Sequence, residues 1–238
     1  PEIDDDLLTR AAKILGEAEY PVIYVGGGAI DAGEPLRQLS EMLQAPVILT
    51  PNALGAVSAR DPLTLSILGG HKIWERADAV LAVGTRFERP LTDWGVTGMK
   101  VVRIDIDPAE FGKVQEPDVA IVGDAIDGLT RLANVVGKHN RSRSSRSEEI
   151  ATVREAVQEE LFEKGQPQAS ICEVIREELP DDGIFVGDIT QVAAYADLGF
   201  PVYQPRTYVG AGFQGTLGYG YATSLGAQVG APGRKVVS

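Results

Sequence analysis

The residues whose types and spacing most clearly suggest chemistry lie in the segment 210–230, GAGFQGTLGYGYATSLGAQVG. Gly212, Gly215 and Gly218 recur every third residue, and a helix-like run of small and apolar residues follows at once. Glycine is needed where the backbone takes a positive φ or comes very close to a ligand. A glycine-rich turn feeding a helix presents amide groups and a positive helix end, which suits a phosphate. The alternative is a tight turn with close helix packing, and the flanking sequence has to decide between them. A second set of groups sits where strands are expected to end: Gly26, Gly27 and Gly28, then Gly84, Asp105, and Gly123 with Asp124. Other chemistries find little support. The one cysteine, Cys172, falls on the apolar side of an expected helix, as a small core residue would. His71 and His139 are far apart in sequence, so with a single cysteine they suggest neither a metal cluster nor a nucleophilic triad.

These groups must be positioned by an α/β framework. The spacing predicts helices over 4–19, 35–44 and 125–136, with strands over 22–28, 46–50, 79–84, 101–107 and 120–124. Continuous apolar strands alternating with helices indicate a parallel sheet covered on both faces. Ligands of such sheets sit at the carboxyl ends of the strands. The stretch 137–147, GKHNRSRSSRS, interrupts the pattern with no apolar residue and reads as an exposed linker. The pattern then restarts, with helices over 148–164, 170–179, 191–198 and 219–229, a strand over 184–188, and a strand beginning at 235. The units are therefore 1–137, a linker 138–148, and 149–238. A strand that has barely begun at Ser238 suggests a truncated second unit.

Composition sets outer limits. The chain has 238 residues, 44% of them hydrophobic, enough for a substantial core. Its net charge of −12 disfavours nucleic acid or an anionic membrane as partner. No apolar run reaches the length of a membrane span, and the acidic start is not a signal peptide. A reducing, cytoplasmic compartment fits the cysteine usage.

Taken together, PVIYVGGGAI, LGGH, VGTRFE, RIDIDPAEFGK, IVGDA, GIFVGDITQ and GAGFQGTLGYGYATSLGA occur in an order that resembles the thiamine-diphosphate-dependent decarboxylase and carboligase superfamily. The most similar branch is the acetolactate synthase large subunit. The resemblance implies a Rossmann-like central domain followed by an incomplete second α/β domain that binds thiamine diphosphate. It implies an enzyme that makes or breaks a carbon–carbon bond beside the carbonyl of a small 2-oxo acid, acting as a homo-oligomer. By position, Thr190 and Gln191 match diphosphate contacts. Gly215 matches a carbonyl that accepts from the aminopyrimidine, and Leu217 matches the apolar prop that bends the cofactor. Gly26, Gly27, Gly28, His71, Arg86, Asp105, Gly123 and Asp124 match residues that hold FAD, or in some relatives ADP. Asp105 would take ribose hydroxyls and Arg86 a phosphate.

The family pattern is not met everywhere. Val192 and Ala193 stand where acetolactate synthases often have His and Gln, the stretch 71–78 is short, and Pro90 replaces a family arginine. The family glutamate that activates the cofactor, and the motif that holds Mg²⁺ with the diphosphate, have no match in the chain. The resemblance therefore implies a fragment, inactive by itself, with no catalytic residue or metal ligand of its own. A non-catalytic adenine-nucleotide or FAD module, or a scaffold, is the alternative.

Overall fold

The computed structural model describes residues 2–212 and 214–238. Helix α1 (Asp5–Glu17) starts at Asp4, whose carboxylate accepts from the Asp6 N–H (2.8 Å). Asp5 and Asp6 follow in its first turn, where negative charge is favoured. It leads to β1 (Pro21–Val25), α2 (Gly33–Leu43), β2 (Val47–Leu49), β3 (Thr64–Ser66) and α3 (Ile67–Ile73). Then come β4 (Ala79–Val83), β5 (Lys100–Asp105), β6 (Val119–Val122) and α4 (Ala125–Val136). The second unit contains α5 (Ser147–Lys164), α6 (Gln168–Glu178), β7 (Ile184–Val186), α7 (Gln191–Gly199), β8 (Tyr208–Val209), α8 (Tyr219–Gly230) and β9 (Val236–Val237).

Strands β1 to β6 form one parallel sheet in the order β3-β2-β1-β4-β5-β6. The order reverses between β1 and β4, and their carboxyl ends are where such a sheet offers a crevice. All five residues of β1 and all five of β4 are buried, as both faces of the sheet are covered. Ile23 and Val25 point to a core shared with α1, α2 and α4. Val22 and Tyr24 point to the other core, with Trp74, Phe87 and Ile150 of α5. The short edge strand β3 and helix α3 were not foreseen from the sequence. Only three residues of β3 pair with β2, too few to show a period.

The second sheet is parallel as well, in the order β8-β7-β9. Residues 137–147, read as exposed, are tied down at two arginines. Arg143 donates to the carbonyls of Leu15, Gly16 and Ala18, which closes the C-terminal end of α1. Arg146 is 7% exposed and donates to Glu149 Oε2 (2.9 Å) and to the Pro21 carbonyl (3.3 Å). Long basic side chains can bury their stems in this way, so polarity alone misjudged the segment. Polar and close backbone contacts also join the units. Arg206 pairs with Asp31 (2.6 Å), and the Ala59 N–H donates to the Val202 carbonyl (2.9 Å). No helix among the described residues is long and apolar enough to cross a membrane.

Candidate functional site

Two places collect the residues singled out above. The first is a crevice of about 360 Å³ at the carboxyl ends of β4, β5 and β6. Gly28, Arg86, Asp105, Asp107, Gly123 and Asp124 line it. The three aspartates are each held by nearby backbone, while Glu110, also in the lining, pairs with Lys113. Asp105 accepts from the Asp107 N–H (3.1 Å) and Asp107 from the Ala109 N–H (2.9 Å). Asp124 caps α4, accepting from Ile126 (2.9 Å) and Asp127 (3.2 Å). The crevice is therefore rich in acceptors, which suits hydroxyl groups such as those of a ribose. Arg86 is exposed at its rim and is the cation among its lining residues.

The glycines after β1 have a different task. The Gly26 N–H donates to the Val83 carbonyl (2.9 Å) and the Gly28 N–H to the Gly84 carbonyl (3.0 Å). These amides are thus engaged by the turn after β4. A methyl group on Gly28 would come within 2.9 Å of Gly84 Cα, and one on Gly26 within 2.3 Å of the Gly84 carbonyl oxygen. Gly27 faces Asn52 instead. His71 lies outside the crevice, on α3, with its ring 5.0 Å from that of Trp94. Of the eight residues matched to a nucleotide, the fold thus gathers Gly28, Arg86, Asp105, Gly123 and Asp124 around one space. Gly26, Gly27 and His71 do not line it.

Arg103 organises the wall of this crevice and was missed in the sequence. It is 2% exposed and donates to the carbonyls of Glu110 and Thr85 (both 2.8 Å). Burial lowers its pKa, with Asp105 and Glu110 opposing the change. It steadies a turn in which Phe87 adopts φ +58°, an unusual backbone for a bulky residue. That turn sends the Phe87 ring into the aromatic cluster, 5.2 Å from Tyr24, while Arg86 stays at the crevice. An arginine alternating with apolar residues in VVRIDID was the available signal.

The second place is the end of β7. Thr190 caps α7, its Oγ1 accepting from the Ala193 N–H (3.1 Å). Gln191 opens the helix, and its side-chain amide meets that of Gln168 at 2.6 Å. The glycine segment is folded against the same point. Gly212, Gly215 and Gly218 all have positive φ, as the spacing required. A methyl on Gly215 would lie 3.7 Å from Ile189, the residue before Thr190. Leu217 is 75% exposed, so core packing within this chain does not account for it.

Asp188 joins the two parts. Its carboxylate accepts from the N–H groups of Gly220 (2.9 Å), Ile189 (2.6 Å) and Gly218 (3.2 Å). These backbone donors, Gly220 foremost, hold the carboxyl below the usual range. A carboxylate therefore already sits on the N-terminal end of α8, while the first turn of α7 keeps amides without helical partners. Beneath the turn, Tyr208 stacks on Phe185 with ring centres 5.5 Å apart and donates to Asp197 (2.7 Å). Burial pushes the Asp197 carboxyl up, and the Tyr208 bond partly offsets this. Asp188 could have been suspected as the last residue of a strand facing a glycine turn. No group of three or more His, Cys, Asp or Glu residues able to hold a metal occurs among the described residues.

Comparison with known proteins bears on both places. Residues 8–132 match the family model described as thiamine pyrophosphate enzyme, central domain. Residues 186–238 match the model described as thiamine pyrophosphate enzyme, C-terminal TPP binding domain. The acetolactate synthase large subunit of Corynebacterium glutamicum is 33% identical over 96% of this chain and 39% of its own length. The acetolactate synthase isozyme 1 large subunit of Escherichia coli is 29% identical over 100% of this chain and 44% of its own length. A chloroplastic acetolactate synthase of Zea mays is 31% identical over 98% of this chain and 39% of its own. The chain thus spans about two fifths of the length of these relatives. With a sheet order of this kind, a glycine turn folded on the end of β7 and matches over nearly its whole length, the chain belongs to the thiamine pyrophosphate enzyme family.

Proposed function

We propose that the end of β7 binds thiamine diphosphate, within an acetolactate-synthase-like enzyme acting on small 2-oxo acids. The observation that carries this is Asp188, which fastens the glycine turn beside the N-terminus of α7. Thr190 and Gln191, with the amides of the α7 first turn, would receive the diphosphate. Gly215 would accept from the aminopyrimidine, and the exposed Leu217 would support the bend between the two rings. Bound there, the cofactor supplies a nucleophilic carbon for addition to a 2-oxo acid. The chain's own residues position it and keep water from one face. Mg²⁺ would be held jointly by diphosphate oxygens, water and protein oxygens. Since the relatives are more than twice as long, we expect this chain to bind but not to turn over substrate alone.

NMR of the chain's backbone amides with thiamine diphosphate and Mg²⁺ tests the reading. Saturable shifts are expected at 188–192 and 215–220, with no consumption of pyruvate. Absence of shifts at millimolar cofactor would overturn the binding reading, and turnover would overturn the expected inactivity. An adenine nucleotide, as ADP or within FAD, would use the other crevice through Asp105 and Arg86. Calorimetry with ADP, FAD and NAD decides this, and heat with none of them would reject it. The exposed side of α8, with Tyr221, Leu225 and Val229, would meet a second copy of the chain. Light scattering on wild type and Leu225→Lys checks this, and a monomeric wild type would refute it.

A further inference from the structure

Beneath the glycine turn, Asp197 and Tyr208 form a pair to which the cofactor site as described gives no task. Asp197 lies in the last turn of α7, and Tyr208 opens β8. The Tyr208 hydroxyl donates to Asp197 Oδ1 (2.7 Å) and reaches the Ala193 carbonyl in the first turn of α7 (3.5 Å). Its ring is held between Phe185 and Phe200, at 5.5 and 6.3 Å between centres. Two residues on from Tyr208 lies Gly210, and a methyl there would sit 3.8 Å from Asp197 Oδ1. A methyl on Gly187, next to Asp188, would sit 3.9 Å from the Tyr208 hydroxyl. The pair thus touches both ends of α7, the end of β7 and the start of the glycine turn. Asp197 is half-buried; burial pushes its carboxyl up, the Tyr208 bond partly offsets this, and no cation among the described residues takes part. From α6, Cys172 bears on Tyr208, and Glu173 bears on Tyr195 rather than on Asp197. The Tyr195 ring of α7 lies against Gly165 and Gly199, where α5 presents Leu161. A carboxylate in the last turn of a helix also opposes the helix dipole.

We propose that Asp197 is a positioning residue of the cofactor site, and that a diphosphate seated at the first turn of α7 is coupled to a proton held by Asp197 at the last turn. The inference rests on the thiamine diphosphate reading. Two physical effects set its sign, and both act in the same direction. Protonated, Asp197 is a neutral acceptor for Tyr208, and α7, β8 and the start of the glycine turn stay packed. Ionised, it is a negative charge without a cation in a half-buried place, drawn toward water and away from Tyr208. The same charge repels a diphosphate at the other end of a nine-residue helix, which is about 12 Å long. The coupling is reciprocal: diphosphate binding draws a proton onto Asp197, and loss of that proton weakens diphosphate binding. Affinity is therefore full below the ligand-free midpoint of Asp197 and falls to a lower plateau above the bound one.

The test uses the full 238-residue chain. Without cofactor, side-chain carboxyl NMR is expected to show Asp197 titrating above the ordinary carboxyl range, with the amides of Gly210 and Ala211 following the same curve. Amides at 210–211 that do not follow Asp197 would overturn the proposal with no cofactor present. Calorimetry with thiamine diphosphate and Mg²⁺ then gives Kd across the same pH range. The cofactor's own phosphate titrates alike with either protein, so the quantity read is the ratio of the wild-type Kd to that of Asp197→Asn. This ratio is expected to rise about fivefold through the Asp197 midpoint. Tyr208→Phe is the second variant. It removes a bond that favours the ionised form, so the Asp197 midpoint, and with it the pH at which affinity falls, should move up. A Kd ratio constant with pH would make Asp197 purely structural and overturn the proposal, leaving the cofactor reading in place. Absence of binding by the wild-type chain at every pH would remove that reading and the proposal with it.

Discussion

Gly84→Ala separates two explanations of the glycines at the sheet's switch point. If glycine is there to admit a ligand, the substitution blocks binding and leaves the empty protein stable. If it is there because two turns of the chain touch, the empty protein itself is destabilised. Gly84 has φ +55°, and a methyl on it would lie 2.6 Å from the Gly28 carbonyl carbon and 2.7 Å from the Ala29 nitrogen. The left-handed backbone costs a non-glycine residue about 1–2 kcal/mol. Forcing a methyl into a closed contact costs about 1–3 kcal/mol more. The expected loss is therefore about 2–5 kcal/mol, a large part of a domain's usual stability. Both tryptophans, Trp74 and Trp94, pack in the aromatic cluster of the same unit, their rings 5.0 Å apart. Urea unfolding followed by tryptophan fluorescence thus reports on this unit. Gly27→Ala is the control: its methyl would meet Asn52 at 3.2 Å without a positive φ, and should cost under about 1 kcal/mol. A loss below about 1 kcal/mol for Gly84→Ala, with ADP or FAD binding abolished, would refute the close-contact account.

Three further outcomes are expected. Arg103→Met should lose about 1–3 kcal/mol by the same fluorescence assay, because it leaves part-buried carbonyls at Thr85 and Glu110 without a donor; an unchanged midpoint would show that water replaces it. Gly220→Ala would push a methyl to 2.9 Å from Asp188 Cβ, so the glycine turn should detach and thiamine diphosphate affinity fall, with the tryptophan transition unmoved; retained affinity would argue against the Asp188 anchor. Asp197 has a folded pKa raised by burial, so its contribution to stability is full below the ordinary carboxyl value and is lost as pH rises through the raised one. Asp197→Asn keeps an acceptor for Tyr208 and removes that loss, so its stability relative to wild type should grow between acidic and neutral pH. A parallel pair of pH–stability curves would contradict this.

What could be read from the sequence depended on how local the cause was. Strands β1 and β4 were legible because burial on both faces makes them continuous apolar runs. The positive φ of Gly212, Gly215 and Gly218 followed from a spacing that only a turn explains. Edge strand β3 was not legible, since its three residues carry no period. Asp188 and Arg103 act on backbone groups far along the chain or across a turn, and their types alone do not distinguish them from surface charges. Arg146 shows the same limit in reverse. Its serine- and arginine-rich surroundings suggest solvent, yet its guanidinium is needed by Glu149 and by the end of the first helix–strand connection.

The joint between the units was the least visible feature, and the reason is physical. Gly55 has φ +89°, and a methyl on it would come within 2.2 Å of the Gln204 carbonyl oxygen and 2.8 Å of Val202. The partner lies about 150 residues away in sequence, so no window around Gly55 contains the cause of its being glycine. Around it, Arg60 pairs with Asp181 and lies over the Tyr203 ring, and Lys72 pairs with Glu160 (3.2 Å). These exposed pairs each contribute little. The joint therefore rests on backbone contact at Gly55 and on the apolar walls of the cavity between β3 and α5. That places the relation between the crevice of the first unit and the glycine turn of the second under the control of a few packed residues.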